Sequence, residues 1–283
     1  MSIILGDYNN LEIVKRVDFG VYLDGGADGE ILLPARYVPE GHEVGDVVKV
    51  FIYLDNEERL VATTETPLAK VGDFAYLKVA WTNKYGAFLD WGLMKDLFVP
   101  FHEQTGRMEV GTWHLVYVTV DKVSRRLFAS ERLDRYTSKG NPPYGTGDEV
   151  DITVWRRTDL GWKVIVDNCY QGLVYGNEIF RPISAGDKMR AIVKAVRPDG
   201  KIDITLQRTG KANDDDASDK LLAMLEDNGG HLAVCDKTPP EEIYAMLGMS
   251  KKTFKRAAGK LYKERRITIT DDGLTLTKQG KND

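Results

Sequence analysis

Two aromatic pairs stand at matched positions around a glycine: Phe19 and Tyr22 about Gly20, and Tyr85 and Phe88 about Gly86. The flat faces of such rings stack on any nucleobase, a contact that contributes ~1–3 kcal/mol per base. Each pair is followed by a basic residue, Arg59 in the first case and Arg126 in the second, of a type that follows phosphates. The alternative role for the four rings is to fill hydrophobic cores. Their recurrence at one offset beside a glycine favours the stacking role.

Residue types that would support catalysis do not assemble. His42, His102, His114 and His231 show no ligand spacing such as HExxH, and the chain holds no phosphate-cradling glycine loop and no GxSxG. Cys169 and Cys235 lie far apart without a CxxC pair, which argues against a zinc site or a disulfide framework and fits a reducing compartment. The run Asp214-Asp215-Asp216 reads as a solvated charge run in a linker rather than a metal site. The expectation is therefore a non-enzyme without cofactor or metal. The first residues, Met1 to Asp7, lack a basic region and a long apolar run, so no signal peptide is visible. No apolar run approaches the ~20 residues that span a bilayer. A cytoplasmic protein without membrane contact is expected.

What must position the aromatics is a repeated strand unit. Asp18-Phe-Gly-Val-Tyr-Leu23 and Gly29-Glu-Ile-Leu-Leu-Pro34 recur 66 residues later around Gly86, as strands on either side of the polar break Gly92 to Asp96. Gly72-Asp73 answers Gly6-Asp7 at the same offset, and Val110-Gly111 answers Val44-Gly45. A third, more diverged copy follows 75 residues after the second, with Gly147-Asp148, Gly161, Gly186-Asp187 and Lys201-Ile-Asp-Ile-Thr205. Each copy reads as five short strands with a longer connection after the third, the pattern of a small, partly closed Greek-key barrel of OB type. An SH3-like scaffolding barrel is the alternative. Lys139 to Gly147 reads as a Pro/Gly linker before copy three, and Thr209 to Ala217 as a polar acidic linker after it.

From Ser218 the period becomes helical. Leu221, Leu222 and Leu225 make one face, ended by Gly229-Gly230. Thr238-Pro-Pro-Glu241 reads as a capping box opening a helix that stops at Gly248. Ser250 is the expected N-cap of the next helix, with Met249 and Phe254 placed for a hydrophobic staple and Phe254, Ala257, Ala258, Leu261 and Tyr262 in one apolar stripe. Ile267-Thr-Ile-Thr270 and Leu274-Thr-Leu-Thr277 complete a hairpin, giving a winged-helix order. The fold class expected is mainly β: three tandem five-stranded OB-fold barrels and a C-terminal α+β winged helix. The domains are expected at 1–67, 68–134, 144–209 and 217–283.

The repeat resembles the S1 domain, an RNA-binding OB-fold unit. Three such units with a winged helix resemble the conserved virulence factor B family of bacterial RNA-binding proteins. The pieces that carry this resemblance are Arg59-Leu-Val-Ala-Thr-Thr64, Leu173-Val-Tyr-Gly-Asn-Glu-Ile-Phe180, Thr238-Pro-Pro-Glu-Glu-Ile-Tyr244 and Gly248-Met-Ser-Lys-Lys-Thr-Phe-Lys-Arg-Ala257. The resemblance implies an RNA face built from two aromatics, a His, an Asp and an Arg. Copy one supplies Phe19, Tyr22 and Arg59, with Leu33 where the His is expected. Copy two supplies Tyr85, Phe88, Asp121 and Arg126, with Val99 in the His column. Copy three offers Leu160 and Lys163 for the aromatics, Tyr175 for the His, and Lys201. The helix opened by Ser250 adds Lys252, Lys255 and Arg256, with Lys263 on the same side as Lys252 and Arg256.

Charge divides the chain unevenly although its total is only −4. Residues 1–70 carry 13 acids and 6 bases, whereas 71–146 carry 8 and 10, 147–208 carry 9 and 10, and 218–283 carry 10 and 12. Phosphate attraction drives nucleic-acid binding. The acidic first copy is therefore expected to meet the ribosome or another protein, and to be dispensable for RNA. Single-stranded RNA is the expected partner of the remainder, in a regulator acting on transcripts or translation. The alternative is a DNA-binding transcriptional regulator that uses the winged helix and docks proteins on its barrels.

Overall fold

The computed structural model describes residues 2–179, 182–206 and 211–277, the side chains of 177 and 211–216 excepted. Two compact units divide at Ser138 and Lys139. In the first, β1 (Tyr8–Val17), β2 (Gly20–Asp24), β3 (Glu30–Pro34), β4 (Val47–Leu54) and β5 (Leu60–Thr63) close a barrel in the order β1-β2-β3-β5-β4. Barrel two repeats the unit with β6 (Phe74–Thr82), β7 (Gly86–Asp90), β8 (Leu97–Pro100), β9 (Trp113–Val120) and β10 (Leu127–Ser130). Its sheet order is β10-β9-β6-β7-β8, the same cycle opened at the seam between β8 and β10. In barrel one the matching seam is the parallel β3–β5 pair.

The second unit begins with barrel three: β11 (Glu149–Thr158), β12 (Gly161–Val166), β13 (Tyr170–Tyr175), β14 (Lys188–Val196) and β15 (Ile202–Thr205), again closed. The Pro/Gly segment before it is pinned rather than loose, since Tyr144 meets Tyr170 edge-on at 5.7 Å and donates its hydroxyl to Asp167 at 2.8 Å. Then follow α1 (Lys211–Asp227), β16 (His231–Leu232), α2 (Pro240–Leu247), α3 (Lys251–Lys263), β17 (Ile267–Thr270) and β18 (Gly273–Leu276). The three strands form one sheet in the order β16-β18-β17, the winged-helix arrangement.

The glycines that mark each copy act by close approach. A Cβ on Gly86 would lie 2.2 Å from the carbonyl oxygen of Val99, and Gly20 and Gly161 meet Leu33 and Val174 in the same way at 2.2 and 2.1 Å. Only a residue without a side chain lets the second and third strands of each barrel touch there. A β-bulge falls at one matched place in all three first strands: Ile13/Lys15, Val79/Trp81 and Val154/Arg156. Alternation breaks at a bulge, so the residues after it change face.

Several sequence expectations are corrected here. Helix α1 starts at Lys211, inside the stretch read as an acidic linker. Carboxylates in a first turn complement the helix dipole, so an acidic run that looks like a linker can open a helix. The side chains of Asp214, Asp215 and Asp216 lie outside the described residues, as does Phe180. Thr238 does not cap α2: its hydroxyl accepts from the Cys235 N–H at 3.0 Å, and Pro239 takes the cap position without a side-chain bond. Tyr262 is 56% exposed while Phe254, Ala257, Ala258 and Leu261 are buried, so the apolar stripe is narrower than its periodicity implies. Ser250 caps α3 as expected, accepting from the Thr253 N–H at 3.1 Å, and Gly248 ends α2 in the left-handed conformation.

Candidate nucleic-acid interface

Barrel two carries a row of three aromatic rings. Trp81 on β6 stands opposite Phe88 on β7, which stands opposite Phe98 on β8. Directly opposed residues share a sheet face, so the three rings lie side by side. Trp81 and Phe88 stack with centroids 3.7 Å apart and planes 4° from parallel, and Phe98 tilts against Phe88 at 5.0 Å. The Trp81 indole donates to Asp96 Oδ2 at 2.7 Å. Tyr85, 61% exposed, projects from the β6–β7 turn with the Lys84 ammonium 5.0 Å from its ring centre.

Tyr85, Phe88 and Phe98, but not Trp81, border a groove of about 640 Å³ at the seam between β8 and β10, walled by Phe98 on one side and by Leu127 and Phe128 on the other. Barrel one closes its end with Tyr53, Leu54 and Glu58. Burial pushes the Tyr53 phenol up to about 12. Arg126 reaches the groove but pairs with Glu58 of barrel one. Lys95 donates to the Asp55 carbonyl at 2.6 Å, and burial pushes its ammonium down. Asp121 folds its own hairpin: the Ser124 N–H and hydroxyl bind its Oδ1 at 2.7 and 2.8 Å and hold the carboxyl below its usual range.

Barrel one offers a poorer version of the row: Lys15, Tyr22 and Leu32. Phe19, 58% exposed, meets Tyr22 edge-on at 6.4 Å, and Lys15 lies 5.5 Å from the Tyr22 ring centre. Arg59 is engaged by Asp55 at 2.8 Å and Glu57 at 3.1 Å. Barrel three replaces the rings by Arg156, Lys163 and Leu173. There Arg156 and Lys163 sit 4.7 and 5.0 Å from the ring of the buried Trp155. Leu160 is exposed in the turn before β12, and Lys201 pairs with Asp199 at 2.8 Å.

Tyr175 does not share a column with Leu33 and Val99, the residues matched with it from sequence. It stands opposite Gly161, as Pro100 stands opposite Gly86 and Pro34 opposite Gly20. Leu33, Val99 and Val174 form the neighbouring column and are fully buried. A one-residue shift along a strand turns every side chain to the other face. Tyr175 therefore belongs outside, where its hydroxyl meets Arg197, itself held by Asp203 at 2.7 Å. Lys163 shares that outer face, two positions along.

In the winged helix, Lys252, Lys255, Arg256 and Lys263 are all exposed on α3, away from the buried Phe254 and Leu261. Lys255 pairs with Asp236 at 2.8 Å. Among the described residues no group of three or more His, Cys, Asp or Glu could hold a metal ion, and no helix is long and apolar enough to cross a membrane. Of the residues named from sequence, Tyr85, Phe88, Asp121 and Arg126 gather at one groove. Trp81 and Phe98 escaped notice. Counting register outward from Gly86 would have found Phe98, but the bulge between Val79 and Trp81 hides Trp81 from any alternation rule.

Comparison with known proteins places these modules. The family model of the S1 domain matches residues 5–65, and that of the CvfB-like winged helix domain matches residues 219–276. The uncharacterized protein YitL of Bacillus subtilis is 29% identical over 284 residues, covering 97% of this chain and 94% of its own. Conserved virulence factor B of Staphylococcus epidermidis is 25% identical over 287 residues, covering 98% and 96%. A solved structure from Streptococcus pneumoniae, described as a multidomain protein with nucleic acid binding domains, is 24% identical with a TM-score of 0.44, covering 96% of this chain and 98% of that one.

Proposed function

From the premise that the chain belongs with the conserved virulence factor B proteins, we propose that it binds single-stranded RNA and regulates gene expression at the transcript or translation level. The observation that carries this reading is the aromatic row Trp81–Phe88–Phe98 beside the seam between β8 and β10. A duplex keeps its bases stacked on each other, and only a single strand can turn them onto such a surface. The polar partners fit the same reading. Lys84 stands over Tyr85 at the rim, where a phosphate chain would pass.

Magnitudes limit what one barrel can do. Two stacked bases at ~1–3 kcal/mol each hardly exceed an association cost of ~4–15 kcal/mol. Linked modules that engage one strand together can gain ~10²–10⁴ in avidity. The exposed cations of α3 supply a second, electrostatic contact of this kind. They also favour the second reading, a duplex-DNA regulator, because a helix of this type enters a groove in helix-turn-helix proteins. Filter binding of the full chain to single-stranded RNA and to duplex DNA of the same sequence separates the two. Tighter RNA binding that weakens in Phe98→Ala supports the proposal, and tighter duplex binding that ignores Phe98 overturns it.

A further inference from the structure

The groove of barrel two is built for a base rather than a phosphate. Its polar lining includes Glu58, Asp96 and Asp121, and its two long cations, Lys95 and Arg126, are already held by oxygen atoms of barrel one. A phosphate entering there would face three carboxylates. A neutral base would find apolar walls and hydrogen-bond acceptors.

Those acceptors are not equivalent. Glu58 gives one oxygen to Arg126 and Asp121 one oxygen to the amides and hydroxyl of its own hairpin, and neither is tied to the aromatic row as Asp96 is through Trp81. Asp96 keeps capacity. Its Oδ2 accepts from the Trp81 indole at 2.7 Å, which fixes the plane of the carboxylate, and its Oδ1 has no hydrogen-bond partner among the described residues. Position also selects it. Asp96 immediately precedes β8, two residues before Phe98, and both line the groove. A base stacked on Phe98 would bring its edge to Asp96.

We propose that Asp96 is a specificity-determining residue that selects guanine in the strand held by barrel two. This rests on the single-strand reading above. A carboxylate only accepts, so it needs two adjacent donors on one base edge. Guanine alone has them, N1–H beside the N2 amino group. Adenine and cytosine place a ring nitrogen lone pair beside their amino group, and uracil flanks its N3–H with two carbonyl oxygens. Each of these would set a lone pair against Asp96. Discrimination by a well-formed two-bond contact is ~1–3 kcal/mol, or roughly ten- to hundredfold.

The test is fluorescence anisotropy of the full chain with labelled oligouridine strands that carry one central guanosine, adenosine, cytidine or uridine. The guanosine strand is expected to bind about tenfold tighter than the other three. Asp96→Asn keeps an acceptor for Trp81 but adds a donor, and should bring the four affinities together without changing Tm; Asp96→Ala should do the same. Guanosine monophosphate should compete only far above the strand's Kd, whereas competition at equal concentration would overturn assignment to a base within a strand. Equal affinities in the native protein, or a guanosine preference that survives both substitutions, overturn the role of Asp96. If Phe98→Ala still weakens all four strands in that case, the RNA-binding reading stands; if it weakens none, that reading fails as well.

Discussion

Trp81 combines two roles that are usually divided between residues. Its ring lies flat on Phe88, and its N–H fixes the carboxylate of Asp96. Trp81→Ala should therefore weaken single-strand RNA binding by ~1–3 kcal/mol. Thermal stability should hardly change, because the ring is 44% exposed and fills no core. A large fall in Tm with binding retained in the folded fraction would assign Trp81 to structure. Glu131 is the contrary case, a polar residue that serves the fold. Burial alone would raise its pKa, but hydrogen bonds from His114 at 2.9 Å and from the Thr105 N–H at 2.7 Å outweigh it and hold the carboxyl low. A depressed folded value means that this stabilisation is complete above the unfolded carboxylate range near 4.5 and is lost as pH falls through the folded value. Glu131→Gln should thus cost stability at neutral pH and narrow the gap to the native protein in acid. Urea melts of both proteins at neutral and acid pH measure it, and a gap independent of pH would rule the linkage out.

At the scale of elements, the turn into β7 decides whether the aromatic row exists. Gly86→Ala would press a methyl group against the Val99 carbonyl, and relieving a 2.2 Å contact means separating β7 from β8. The expected cost is ~1–3 kcal/mol in urea denaturation, with Phe98 shifted away from Phe88 and RNA binding reduced with it. Unaltered stability would show that the seam can yield. Helix α3 answers to different physics. The double substitution Lys252→Ala and Arg256→Ala leaves the buried Phe254 side untouched and removes two candidate phosphate contacts. The log–log salt slope of RNA binding should become shallower by about 1.4, at ~0.7 per contact on a single strand. An unchanged slope would exclude α3 from the interface. Strand order and the three copies were legible in the sequence because glycines at fixed offsets mark each unit. The face of each residue was less legible, since a bulge at Val79/Trp81 and a one-residue difference between Val174 and Tyr175 both reverse it without changing composition. The start of α1 was hidden for a related reason: an acidic run serves a linker and a helix N-terminus equally well.

For the first compact unit as a whole, the acidic first barrel is a wall of the groove and a part of the core beneath it. Removing the first copy, expected from its charge to be dispensable for RNA, would therefore also expose part of the second barrel's core. Phe51, Tyr53 and Val61 of barrel one share one apolar cluster with Leu89, Trp91 and Val116 of barrel two, and Phe51 meets Trp91 edge-on at 5.8 Å. Ion pairs reinforce this junction: Lys70 with Asp7 at 2.8 Å, Arg125 with Asp28 at 3.2 Å, and Arg126 with Glu58. Such exposed pairs contribute little singly, ~0–1 kcal/mol, so the coupling must come from the shared core. Phe51→Ala tests it. Removing a fully buried ring costs ~3–5 kcal/mol through lost transfer energy and the cavity left behind. If the two barrels unfold as one body, amide hydrogen exchange should accelerate by the same factor in β4, which carries the substitution, and in β9, which does not. Independent barrels would lose protection in β4 alone. Under the coupled outcome, RNA affinity measured well below the melting range should fall even though no residue of the aromatic row has changed, because Tyr53 borders the groove from β4, the strand that holds Phe51, and Glu58 borders it from the turn that follows β4. Faster exchange confined to barrel one, with RNA affinity intact, would return that barrel to the status of an independent module.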